Sequence, residues 1–148
     1  MIISGYQGIG KSTLSQGDPK FIDLESGCFW VNGVRSEDWY IVYCQMAEHL
    51  SRQGYTVFMS SHKAVREYLK ASTERVYCCA PTIGLKDAWI EKLKQRYELT
   101  GQEKDKKAYL NAKQCYEENI KDIATCGLEV LWLPKLSYSL RETIIRYT

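Results

Sequence analysis

Short apolar runs alternate along the chain with longer stretches in which apolar residues recur every three or four positions. Five runs have the length and composition of buried strands, at residues 1–4, 20–24, 55–59, 75–80 and 129–133. The intervening stretches predict helices over about 36–53 and 63–70, two more between 85 and 124, and a last one near Tyr138. Such alternation is typical of a three-layer α/β fold with a doubly wound parallel sheet. We therefore expect a single domain over residues 1–148, with five parallel strands.

The helical periodicity also predicts which side chains face the core. On the helix over 36–53 these are Trp39, Val42, Tyr43, Met46 and Leu50. On the two helices between 85 and 124 they are Leu85, Trp89 and Leu93, then Tyr109, Ala112, Tyr116, Ile120 and Ile123. Charges of alternating sign over 86–107 are typical of a solvated face, and the polar segment 100–107 predicts a mobile connection.

The first strand runs directly into a glycine-rich segment with the pattern G-x-x-x-x-G-K-S, which is the phosphate-binding P-loop. Glycines let the backbone curl so that its N–H groups point at a polyphosphate, and the next helix directs its positive end to the same place. The lysine of this pattern reaches the β- and γ-phosphates, and the serine hydroxyl holds Mg²⁺. We expect ATP and Mg²⁺ as cofactors, bound by Gly5, Gly8, Ile9, Gly10, Lys11, Ser12 and Thr13.

Composition narrows the class of protein only slightly. Hydrophobic residues make up 45% and charged residues 26% of the 148 positions, which is ordinary for a globular domain. The net charge of +2 is too small to imply nucleic-acid binding by itself. The six cysteines form no C-x-x-C pair, which disfavours a zinc site, and ATP binding with unpaired thiols favours the cytoplasm. No apolar run approaches the ~20 residues that a membrane-spanning helix needs.

Two carboxylates close the second predicted strand. Asp23 and Glu25 are two residues apart, so strand geometry sends both to the same face. Near a γ-phosphate, Asp23 could orient or deprotonate an attacking hydroxyl, or hold a Mg²⁺-bound water. Both could instead belong to a solvated acidic loop, and for Glu25 the two interpretations have equal weight.

A P-loop followed by F-I-D-L-E resembles the shikimate kinase and gluconate kinase branch of the P-loop kinases. The segment S-S-H-K-A-V-R-E-Y-L at 60–69 is similar to the gluconate kinase segment after the third strand, where a basic helix meets the phosphate acceptor. This resemblance implies that Asp23, Glu25, Lys63 and Arg66 contact the substrate, and that Ser12 and Asp23 hold the metal. The alternative for Lys63 and Arg66 is an ordinary exposed helix face.

The segment 85–96 resembles the helix that leads to the lid in these enzymes and in nucleoside monophosphate kinases. In them the helix ends with an arginine that covers the triphosphate, which implies this role for Arg96 and a lid over about 84–124. The chain departs from the family at several places, among them the Asp-Arg pair that many nucleoside kinases carry after the third strand, which is absent, and the lid, which is longer than a minimal one. Only a short helix fits between Lys11 and Asp23, and the third strand ends without the aspartate of motor and switch ATPases.

The sequence as a whole predicts a small P-loop kinase, an ATP-dependent phosphotransferase with a nucleoside, a nucleotide or another small hydroxyl compound as acceptor. Lys11, Asp23 and Arg96 are the expected catalytic residues. Two alternatives remain: a kinase that acts on nucleic-acid ends or modified bases, and a nucleotide-binding or regulatory module without catalytic activity.

Overall fold

A computed structural model describes residues 1–147 as alternating strands and helices. The strands are β1 Ile2–Gly5, β2 Phe21–Asp23, β3 Thr56–Met59, β4 Val76–Pro81 and β5 Glu129–Leu133. The α-helices are α1 Lys11–Gly17, α2 Trp39–Arg52, α3 Lys63–Leu69, α4 Lys86–Thr100, α5 Glu103–Ala124 and α6 Leu140–Ile145. Each predicted strand is present with its bounds shifted by no more than a few residues, and α1 is as short as expected. No helix within residues 1–147 is long and apolar enough to cross a bilayer.

All five strands form one parallel sheet in the order β2-β3-β1-β4-β5. The predicted parallel α/β sheet is thereby confirmed. The chain leaves β1 towards β2 at one edge of the sheet, and it leaves β4 towards β5 at the other edge. Adjacent parallel strands whose connections diverge in this way open a crevice beyond their carboxyl ends, where α/β proteins bind ligands.

Helices cover both faces of the sheet, so the fold has three layers. Ile2 and Ile3 point to opposite faces, and each belongs to a different hydrophobic cluster. Ile2 packs in the cluster that contains the buried residues of α2 and α3. Ile3 packs in the larger cluster, to which α4, α5 and α6 contribute. Buried, continuous apolar strands of this kind are expected when helices cover both faces of a parallel sheet.

The predicted core face of α2 is wrong at two positions. Val42 and Met46 are 52% and 43% exposed. The buried stripe instead consists of Trp39, Tyr43, Cys44, Ala47 and Ser51. Small residues on this stripe let the helix approach the sheet closely, whereas the prediction counted only large apolar side chains.

The predicted mobile connection over 100–107 is also wrong. Helix α4 continues to Thr100, Gly101 ends it with a left-handed φ of 62°, and α5 begins at Glu103. Acidic side chains in the first turn of α5 stabilise that end of the helix, which explains why so polar a segment is helical. The core positions predicted for α5, from Ala112 to Ile123, are confirmed as buried.

Candidate functional site

The main cavity lies beyond the carboxyl end of β1 and has a volume of about 920 Å³. Most of the residues predicted to bind phosphate line it, together with both carboxylates from the end of β2 and the arginine of α4. These residues are Gly8, Ile9, Gly10, Lys11, Ser12, Thr13, Asp23, Glu25 and Arg96. Gly5, Lys63 and Arg66 line a second, smaller cavity instead.

The glycine-rich loop, residues 5–12, curls tightly, and a side chain would be unfavourable at Gly5, Gly8 and Gly10 for conformational or steric reasons. Gly8 and Gly10 have φ values of 84° and 102°, which L-amino acids with a side chain rarely adopt. A Cβ atom on Gly5 would lie 2.6 Å from Ile9 Cδ1, and one on Gly8 would lie 2.8 Å from Leu93 Cδ2. The loop is thus closed on itself and pressed against α4.

Two ring donors hold this loop from outside. The indole Nε1–H of Trp89 donates to the carbonyl oxygen of Gln7 at 3.0 Å, and the Tyr138 hydroxyl donates to that of Ile9 at 2.7 Å. Within residues 1–147, the backbone N–H groups of Gly8, Ile9 and Gly10 have no hydrogen-bond partner. The loop therefore has its carbonyls engaged and its amides available. Trp89 was expected only as a core residue, and the need of a buried indole for an acceptor was the signal for its second role.

Lys11 is folded back onto the loop that carries it. Its Nζ donates to the carbonyl oxygen of Gly5 at 2.8 Å. Burial lowers the pKa of Lys11, while the negative charges of Asp23 and Glu25 act in the opposite direction. The ammonium group thus has a neutral partner, and it can exchange that partner for an anionic oxygen with little rearrangement.

The start of α1 meets the end of β2 through one hydrogen bond. The Ser12 hydroxyl donates to Asp23 Oδ2 at 2.7 Å. A second contact fixes the same strand end, because the Tyr43 hydroxyl donates to the Leu24 carbonyl at 2.6 Å and accepts from the Ser60 amide at 2.9 Å. The predicted metal-binding pair is thereby adjacent, and Tyr43 is a positioning residue that sequence reasoning assigned only to the core.

Arg96 lines the main cavity while bound to the neighbouring helix. Its Nε lies 3.0 Å from Asp105 Oδ1, and the Thr100 hydroxyl donates to the other oxygen of the same carboxylate. Asp105 is only 4% exposed, whereas the side chain of Arg96 is 43% exposed. The carboxylate is therefore the fixed partner, and Arg96 projects from it into the cavity wall.

Lys92 and Asp105 correct the interpretation of 86–107 as a solvated charged face. The Nζ of Lys92 donates to the Tyr138 hydroxyl at 3.0 Å and lies 4.2 Å from the centre of the Trp89 ring. Burial, and to a lesser degree the charge of Arg96, lowers the pKa of Lys92. The sequence did not distinguish these two residues from the other charged residues of the segment, because no local pattern indicates which charged side chain points inward.

Arg66 does not lie on an exposed helix face. It is 5% exposed, and its Nε and Nη1 donate to the carbonyl oxygens of Ser61 and Asp122, both at 3.1 Å. Lys63, at the start of α3, is exposed and lines the same smaller cavity. The two basic residues of α3 thus lie beside the smaller cavity, whereas most of the glycine-rich loop lines the main one.

Comparisons of the chain with protein-family models, with curated proteins and with solved structures found no match in any of the three. The functional argument therefore rests on the residues of the two cavities.

Proposed function

We propose that the protein is a small P-loop kinase, an ATP-dependent phosphotransferase that transfers the γ-phosphate of ATP to a nucleoside, a nucleotide or another small hydroxyl acceptor. One observation carries this proposal. A single cavity is lined by Lys11 of the glycine-rich loop, Asp23 of β2 and Arg96 of α4. Phosphoryl transfer needs these three groups together, because its catalysis consists almost entirely of positioning and charge stabilisation.

The glycine-rich loop supplies the triphosphate site. Its free amides are suitable donors for phosphate oxygens, and Lys11 Nζ would exchange the Gly5 carbonyl for a charged oxygen. A phosphate oxygen carries a negative charge that the carbonyl lacks, so Coulomb attraction to the ammonium group favours the exchange. Leu140 and Arg141 at the start of α6 also line this cavity, and Leu140 lies beside Gly10 of the loop.

Ser12 and Asp23 fit a magnesium ion bound together with the nucleotide. Within residues 1–147 no group of three or more His, Cys, Asp or Glu side chains could hold a metal by itself. Mg²⁺ in such sites uses one or two protein oxygens and completes its shell with phosphates and water, which is what this hydroxyl–carboxylate pair offers. When bound, the ion would neutralise charge on the phosphates. Asp23 also lies where it could accept a proton from an acceptor hydroxyl.

Arg96 would stabilise the charge of the transferring group. The planar guanidinium binds phosphate oxygens in pairs, and Arg96 lines the cavity while only its Nε is paired with Asp105. Asp105 and Thr100 act as positioning residues for it. The six free thiols and the need for ATP support a cytoplasmic location for this activity.

The decisive experiment follows phosphate from γ-labelled ATP, with Mg²⁺, into a pool of nucleosides, nucleotides, sugar acids and oligonucleotides. We expect a labelled small-molecule product that is lost with Lys11→Ala. Asp23→Asn should retain ATP binding and reduce transfer by about 10²-fold, because Asp23 either holds the metal or accepts the proton of a hydroxyl acceptor. ATP binding without a labelled product would contradict the kinase and support a nucleotide-binding module, and label in oligonucleotides would support the nucleic-acid kinase.

A further inference from the structure

A second cavity, of about 330 Å³, adjoins the main one on the other side of Lys11. Gln7, Lys11 and Ser60 line both cavities. A molecule in the smaller cavity would therefore lie next to the ammonium group that the proposed function assigns to the γ-phosphate. Its volume suits a small ligand and is too small for a macromolecule.

One wall of this cavity carries three connected amides, Gln7, Asn111 and Asn119, which we call the amide triad. Gln7 Nε2 donates to Asn111 Oδ1 at 3.2 Å, and Asn119 Nδ2 donates to the same oxygen at 2.9 Å. Gln7 Nε2 also donates to the backbone carbonyl of Ala108 at 3.1 Å. Because a carbonyl can only accept, this contact fixes the orientation of Gln7, then of Asn111 and then of Asn119.

The fixed orientation leaves a defined set of polar groups unused. Within residues 1–147, no protein group bonds to the Asn111 NH₂ or to Gln7 Oε1, whereas Asn119 also hydrogen-bonds to the Tyr6 side chain. Asn111 is exposed, Gln7 and Asn119 are half-buried, and all three residues line this cavity. The wall therefore offers one donor group, the Asn111 NH₂, and one acceptor, Gln7 Oε1, which cannot rotate without breaking the triad. The hydroxyl groups of a sugar can rotate, so they do not require donors and acceptors in fixed positions. The edge of a nucleobase is planar and rigid, so it does require them.

The charged residues of the lining are mostly basic. They are Lys11, Lys63 and Arg66, against one acidic residue, Asp122. Arg66 is buried, binds only neutral carbonyl oxygens and forms no ion pair with a described residue. A buried cation without a negative partner is unfavourable, and an anionic ligand would relieve this.

We infer that the smaller cavity binds a nucleoside monophosphate, with the base against the amide triad and the phosphate near Lys11, Lys63 and Arg66. We assign this nucleotide the role of phosphate acceptor, an assignment that rests on the proposed function. An oxygen of its phosphate then attacks the γ-phosphorus of ATP. The bond from that phosphorus to the bridging oxygen breaks, and ADP and a nucleoside diphosphate result. The attacking oxygen is already ionised at neutral pH, so no base is needed and Asp23 serves the metal. The triad residues Gln7, Asn111 and Asn119 determine specificity.

Titration calorimetry without ATP tests the site independently of catalysis. The ligands are AMP, GMP, CMP and UMP, with ribose 5-phosphate and gluconate as anions that lack a base. We expect at least one nucleotide to bind about tenfold or more tightly than another, and tighter than both other anions, because unpaired polar groups in a built site are costly. Equal binding of all four nucleotides, no nucleotide binding, or tightest binding of gluconate would overturn the inference.

Asn111→Leu tests the triad itself, with Gln114→Leu on the exposed surface of the same helix as the matched control. Asn111→Leu should reduce the preference among bases to less than about threefold while Gln114→Leu leaves it unchanged. Asn119→Leu provides a second variant if the first unfolds, which thermal denaturation would reveal. A preference that persists in both folded variants would overturn the role of the triad.

The two proposals fail separately. Binding of nucleoside monophosphates with a base preference, but without phosphate transfer from ATP, would support this binding site and contradict the proposed kinase activity. Transfer of phosphate from ATP to another acceptor, without binding of a nucleoside monophosphate, would support the kinase and contradict this binding site.

Discussion

The glycine-rich loop and the α4–α5 pair both bring a cation to the main cavity, but they hold it differently. Lys11 donates to a neutral backbone carbonyl only six residues away in the chain. Arg96 is paired with a buried carboxylate on another helix, which a threonine hydroxyl also holds. Lys11 is thus held weakly by a local contact, whereas Arg96 is held strongly by contacts between two helices. We therefore expect Lys11 to serve binding of the nucleotide and Arg96 to serve the positioning of charge during transfer.

Lys11→Ala removes the local cation and should have the largest effect. We expect phosphate transfer to fall by about 10³-fold or more, since the loop loses its only side chain that reaches the terminal phosphates. Steady-state rates with γ-labelled ATP would measure it. The control is Lys20→Ala, a lysine on the surface that lines neither cavity, and a comparable loss there would contradict the assignment.

Arg96→Ala removes the tertiary cation, and we expect transfer to fall by about 10²- to 10³-fold with less effect on ATP affinity. Asp105→Asn keeps a hydrogen-bond acceptor for Arg96 and removes only the charge, so it should reduce the rate by about tenfold at most. Separate kcat and KM values distinguish the two roles. If Arg96→Ala raised KM alone, the arginine would act in binding, as Lys11 does.

Gly8→Ala tests how tightly the loop is held against α4. The new methyl group would meet Leu93 at 2.8 Å on a residue with a φ of 84°. We expect the free energy of unfolding to fall by about 2–3 kcal/mol from strain and steric overlap combined. Gly33→Ala is the matched control, because its φ of 74° is similar and no atom lies within 4 Å of the added Cβ. Equal losses in urea denaturation would mean that the contact with Leu93 contributes nothing.

Trp89→Phe should have the smallest effect. It removes the hydrogen bond to the Gln7 carbonyl and keeps most of the buried ring surface. A lost hydrogen bond of this kind costs about 1 kcal/mol, so the midpoint of urea denaturation should fall slightly and ATP affinity by less than about tenfold. Trp132→Phe, on the partly exposed face of β5, provides the comparison. A loss with Trp132→Phe as large as that with Trp89→Phe would show that the loop contact has no special weight.

The smaller cavity illustrates what escaped sequence reasoning. Lys63 and Arg66 were predicted together as substrate contacts on one helix. The structure separates their roles, because Lys63 is exposed whereas Arg66 is buried and donates to the backbone carbonyls of Ser61 and Asp122. Asn111 and Asn119 are polar positions on a helix whose apolar face alone was predicted. Their meeting with Gln7 spans more than a hundred residues of sequence, and no local pattern records it.

The sequence by itself determined the alternation of strands and helices and the glycine-rich loop, because each depends on neighbours within a few positions. The alternation in turn predicted the parallel sheet. Tertiary structure alone decided that Val42 and Met46 face outward, that 103–107 is helical, and that Lys92 and Asp105 turn inward. The physical reason is that burial of a given side chain depends on which elements pack together. The charges and amides that surround the two cavities come from segments distant in the chain, so only the folded protein brings them together.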